Sequence, residues 1–115
     1  MGKVKKKSTI KIEIELDEHQ VPEKIYWTAS DNPDQKNMAA KGMLLSLFDP
    51  QTRETLKIDL WTKEMQVLEM DRFIYQSIRG LADTYFKATS NDKMASAMRE
   101  FVQFFGEETD IIPKT

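Results

Sequence analysis

The sequence predicts an α+β fold, a four-stranded antiparallel sheet followed by two C-terminal helices packed on one face. Three observations carry this. Apolar and charged residues alternate from Ile10 to Asp17, short alternating stretches recur as far as Trp61, and beyond Trp61 the apolar period changes from 2 to 3.6. Strands that all precede the helices point to helices gathered on one side of an antiparallel sheet, not to a parallel sheet with crossovers.

In the first strand, Ile10, Ile12, Ile14 and Leu16 face one way and Lys11, Glu13, Glu15 and Asp17 the other. Pro22 sits just before a second short strand, Ile25 to Ala29, where its missing N–H does little harm. Ser30 to Asn37 is polar, contains Pro33 and reads as a loop; Met38 to Lys41 is either a helical turn or the end of that loop. Met43 to Phe48 is apolar on both faces, the pattern of a central strand covered twice. Asp49-Pro50-Gln51-Thr52 is a turn, with Asp for the side-chain hydrogen bond and Pro to preset φ. The chain returns as Thr55 to Trp61, so strands three and four form a hairpin.

Val67, Met70, Phe73, Ile74, Ile78, Leu81, Ala82, Tyr85 and Phe86 then recur at helical spacing and cover an arc of about 220°. An arc that broad needs more than one neighbour. In the second helix Met94, Met98, Phe101, Val102 and Phe105 form the stripe. Ser90 is the expected N-cap, Asp92 complements the helix dipole, and Gly106 is the expected stop. Residues 1–9 are then a basic flexible arm, 10–106 a single domain, and 107–115 an acidic tail whose Ile111-Ile112-Pro113 either docks or frays.

Composition narrows the function classes. A chain of 115 residues with 40% hydrophobic content holds one core without staples. With no cysteine, stability comes from packing alone, which suits a reducing cytoplasm. A net charge of −2 argues against a general nucleic-acid binder. No apolar run reaches the length of a membrane span. The basic start has no apolar stretch behind it, which predicts no secretory signal, and Lys6 stands where N-myristoylation needs Ser or Thr.

No catalytic, cofactor-binding or metal site is predicted. His19 is the single histidine, in Asp17-Glu18-His19, and nothing else supplies a second soft ligand for zinc. Asp31-Asn32-Pro33-Asp34 lacks the glycine and terminal glutamate of a calcium loop. No nucleophile elbow or Gly-rich phosphate loop is present, and the glycines Gly2, Gly42, Gly80 and Gly106 are scattered. Lys3, Lys5, Lys6, Lys7 and Lys11 are either a solubilising segment or a contact for an anionic surface. The remaining candidate is a partner interface: Tyr26, Leu44, Phe48 and Trp61 lie on the strand faces away from the helices. They are either buried by residues 30–41 and the tail or form a self-association surface, since Trp and Tyr are frequent interface anchors.

Three stretches carry a family likeness: Val21-Pro22-Glu23-Lys24-Ile25-Tyr26-Trp27-Thr28-Ala29; Leu56-Lys57-Ile58-Asp59-Leu60-Trp61-Thr62-Lys63-Glu64-Met65; and Met70 through Ala82-Asp83-Thr84-Tyr85-Phe86-Lys87-Ala88-Thr89, closed by Asp92-Lys93-Met94. In them the chain resembles the gliding-motility-associated protein GldC family over about Ile10 to Phe105, leaving the lysine-rich start and the tail outside. The resemblance implies an accessory part of a gliding apparatus, acting from the cytoplasmic side, with itself and other gliding-machinery proteins as partners. It carries no catalytic motif. The expectation is therefore a non-enzymatic interaction protein with no cofactor and no small-molecule substrate. The alternative is a chaperone or adaptor for exported clients, by fold-level analogy with the export chaperone SecB, which shares four strands followed by two helices.

Overall fold

The computed structural model describes residues 3–32, 34 and 36–114, so Gly2, Pro33 and Gln35 lie outside the described residues. The chain is α+β with two C-terminal helices, and it divides at Met65/Gln66 into two units. In the first unit, β1 (Ile10–Leu16), β2 (Pro22–Ala29) and β3 (Met38–Ala40) form an antiparallel sheet in the order β1-β2-β3. A second antiparallel sheet is the hairpin of β4 (Gly42–Phe48) and β5 (Thr55–Trp61). The expected single four-stranded sheet is thus corrected to a three-stranded and a two-stranded one.

The reason lies in residues 38–41. They are neither a helical turn nor a loop end: Met38–Ala40 pairs with Trp27, Tyr26 and Ile25 as a short strand. The chain bends at Lys41 and changes partner, so that Gly42 lies opposite Trp61. One nearly continuous stretch therefore serves two sheets. Consequently β4, expected to be central, has β5 as its bonded neighbour in a two-stranded sheet.

Residues directly opposite across an antiparallel pair share a face. On the first sheet Ile12 faces Trp27, and Ile14 faces Ile25, which in turn faces Ala40. Ile25 is only 2% exposed and centres this apolar side. Glu13, Tyr26 and Ala39 lie on the other side. The Asp49 turn forms as expected: its Oδ1 accepts from the Gln51 and Thr52 amides at 2.8 and 3.1 Å, and Arg53 closes the loop with φ 61°.

An ionic clasp ties the β1–β2 turn to the segment after β5. Asp17 Oδ1 accepts from the His19 and Val21 amides at 2.8 and 3.0 Å, while its Oδ2 pairs with Lys63 Nζ. Glu23 stands 3.9 Å from the same ammonium. The Lys63 hydrogen bond and then the Val21 amide hold Asp17 below its ordinary value of 3.8; the Asp17 bond lifts Lys63 above its ordinary 10.5. For Asp17 the stabilisation is complete above the ordinary value and is lost as pH falls through the lowered one. For Lys63 it is complete below the ordinary value and is lost as pH rises through the raised one. Asp17→Asn is expected to flatten the acid limb of a plot of urea midpoint against pH. The residual slope comes partly from Asp49, which the Gln51 and Thr52 amides also hold low.

The second unit is a helical hairpin of α1 (Val67–Thr89) and α2 (Asp92–Glu108). Glu69 reaches back to accept from the Gln66 amide at 3.0 Å, fixing the start of α1. Two end signals differ from expectation. Ser90 is not the N-cap of α2 but the left-handed C-cap of α1, at φ 57°, and Asn91 takes the N-cap role by accepting from Met94 N at 3.1 Å. Gly106 does not stop α2, which runs on to Glu108. Gly106 is buried, and a Cβ there would stand 2.7 Å from Tyr75 Cε1 and 2.9 Å from Ile112 Cδ1 and Cγ1. Its role is close approach. The tail docks: the Ile111 and Ile112 amides donate to Gly106 O at 2.9 and 3.1 Å.

The core of this unit is Tyr75, Ala82, Ala95 and Val102, all buried. Gly80 contrasts with Gly106. It is exposed in mid-α1, with nothing within 4 Å of an added Cβ. Gly80→Ala is expected to stabilise the protein by about 0.5–1 kcal/mol, read as a raised urea midpoint with an unchanged slope.

Candidate protein interface

Three of the four sequence-predicted interface residues are brought together. Leu44, Phe48 and Trp61 share one face of the β4–β5 hairpin, because Leu44 lies opposite Asp59, Phe48 opposite Thr55 and Trp61 opposite Gly42. Phe48 is 67% exposed and Trp61 57%. Between them Lys57 Nζ lies 3.5 Å from Asp59 Oδ2 and donates to Ser46 Oγ at 3.2 Å, a polar centre with one aromatic side chain toward each end of the hairpin. The fourth, Tyr26, sits on β2 in the other sheet and is half-buried.

The sequence marks this face but understates the opposite one. Met43, Leu45, Leu47, Leu56, Ile58 and Leu60 form an unbroken apolar row on the other side of the hairpin. Leu47, Leu56 and Ile58 are each exposed by half or more. The strict alternation of Leu56, Ile58 and Leu60 signals a buried strand face; nothing in it distinguishes burial within the fold from burial against a partner.

Tyr26 lines an open cleft of about 460 Å³ with Glu23, Lys24, Ile25, Ala39, Ala40, Lys41, Thr62 and Glu64. Its lining carries both signs of charge, Glu23 and Glu64 with Lys24 and Lys41. Thr62 is 2% exposed, and its Oγ1 has no hydrogen-bond partner. A smaller hollow of about 240 Å³ lies beside Trp61, between Val21-Pro22 and Asp59-Leu60.

The other sequence candidates have ordinary partners. His19 is exposed in the β1–β2 turn, with Nε2 3.4 Å from Glu18 Oε1. Among the described residues no three His, Cys, Asp or Glu side chains are grouped to hold a metal. Asp31, the first acid of the calcium-like loop, accepts from Ser8 Oγ at 3.0 and 2.9 Å and pairs with Lys6 at 3.3 Å, so it anchors the basic arm. Pro33 of that loop is outside the described residues. Among the described residues no helix is long and apolar enough to cross a membrane.

No curated protein and no solved structure matches the chain. The family model described as "Gliding motility-associated protein GldC-like" does match, over residues 22–111. That span takes in β2 through both helices, including the docked Ile111, and the chain belongs to the gliding motility-associated GldC-like family.

Proposed function

We propose that this chain is a non-enzymatic interaction protein of the gliding apparatus, working on the cytoplasmic side and self-associating through the β4–β5 hairpin. The observation that carries this reading is the exposure of Leu44, Phe48 and Trp61 on one hairpin face, backed by exposed Leu47, Leu56 and Ile58 on the other. Exposed apolar groups of this density on a small strand pair mark surfaces that meet another protein. Family membership supplies the process and points to machinery proteins as partners. The non-enzymatic part is supported by residue content, with a single histidine in an exposed turn. The compartment is supported by a cysteine-free chain that depends on packing, as suits a reducing environment.

A pull-down from gliding cells, with Trp61→Ala as the control, tests the reading. One partner from the gliding machinery recovered by the wild type and lost by the variant supports it. Unrelated proteins recovered equally by both oppose it. The exposed apolar rows also suit a holder of extended export clients. Suppressed aggregation of unrelated unfolded proteins would favour that reading over a dedicated part.

A further inference from the structure

The ladder of the β4–β5 hairpin fixes which backbone groups look outward. The Asp49 amide donates to Glu54 O at 2.9 Å at one end, and the Thr62 amide to Lys41 O at 2.8 Å at the other. Both pairs continue the register in which Leu45 lies opposite Ile58. Bonded and non-bonded pairs alternate along an antiparallel ladder, so Leu45 and Ile58 are a bonded pair. The amides and carbonyls of Thr55, Lys57, Asp59 and Trp61 therefore point away from β4. They form an edge that no other strand of the described residues pairs with.

We infer that this edge pairs with the same edge of a second copy, antiparallel, with Ile58 on the two-fold axis. Two hairpins then join into a four-stranded sheet in the order β4-β5-β5-β4. The inference rests on the self-association reading above and names its contact. A two-stranded hairpin is marginal by itself, and an open edge beside exposed apolar side chains invites another strand.

Charge selects the register. A one-residue slip would put Lys57 and Asp59 on the apolar side, so allowed registers differ by two residues. With Ile58 opposite Ile58 of the partner subunit, Lys57 lies opposite Asp59 of the partner subunit, and symmetry repeats the pair. Leu56 then meets Leu60 of the partner subunit, again twice. Shifting the axis to Lys57 sets two lysines face to face; shifting it to Asp59 sets two aspartates face to face. Both are unfavourable. The exposed side chains of β5 thus complement themselves in this register and not in its neighbours.

The chain has no cysteine, so a single introduced one reports directly. In the inferred register the two Ile58 residues form a non-bonded pair, with Cα atoms about 4.5 Å apart, within disulfide range. Ile58→Cys is expected to form a covalent dimer under mild oxidation, whereas Ser46→Cys, on β4, is not. Lys57→Asp should weaken the dimer roughly tenfold, and Lys57→Asp with Asp59→Lys should restore it, because every cross-strand pair is re-formed. If the wild type sediments as a dimer but Ser46→Cys cross-links in place of Ile58→Cys, or the double reversal fails to rescue, the edge assignment is overturned and self-association stands. A wild-type monomer at micromolar concentration overturns both.

Discussion

Gly106→Ala is expected to destabilise the protein, although the same change at Gly80 stabilises it. The added methyl would stand 2.7 Å from the ring edge of buried Tyr75 and 2.9 Å from Ile112. Overpacking of this kind costs about 1–3 kcal/mol, against roughly 1 kcal/mol regained from helix propensity. The net loss grows with side-chain size, so Gly106→Val should fall well below Gly106→Ala in urea midpoint. Ile112→Ala in the Gly106→Ala background should recover part of the loss, since it removes one of the two obstructing groups. Equal midpoints for Gly106→Ala and wild type would show that Tyr75 and Ile112 yield freely.

Trp61→Ala is expected to weaken self-association by about 2 kcal/mol or more, roughly thirtyfold in dissociation constant. Trp61 is more than half exposed in the single chain, so its truncation leaves the isolated fold intact. Sedimentation over a micromolar concentration series reads the first effect, and the urea midpoint of the dilute monomer reads the second. A variant that loses stability but not association would place Trp61 in the fold and not in the contact.

The legible parts of the fold were those set by local pattern. Alternation places β1 and β5; an apolar run on both faces places β4; Asp49-Pro50 places the hairpin turn; the change of period at Thr62 places the helices. Beyond that hairpin, which β4 and β5 form as expected, pairing is not legible, because alternation assigns faces and says nothing of which edges meet. Met38-Ala39-Ala40 is too short and too small to read as a strand; it becomes one only because Trp27, Tyr26 and Ile25 lie beside it. Gly106 misled for a related reason. A glycine near a helix end has the composition of a cap, whereas its use here depends on Tyr75 and Ile112, distant in sequence. Of the candidate interface residues, Leu44, Phe48 and Trp61 share one hairpin face, as their places along the strands imply. Tyr26 does not, because that grouping assumes one sheet and β2 lies in the other.

The bond from the Thr62 amide to the Lys41 carbonyl closes residues 42–61 into a unit whose internal pairings are all local in sequence. Such a hairpin forms in about 1–10 μs, before pairings of longer reach. It can also open by itself, while β1, β2 and β3 keep their bonds. In hydrogen exchange, the Leu45 and Ile58 amides are expected to lose protection together and earlier than that of Ile25. Raising the protein concentration should slow them, if a second copy holds the hairpin shut. The second sheet would then be the part of the molecule whose lifetime is set by how much of the protein the cell makes.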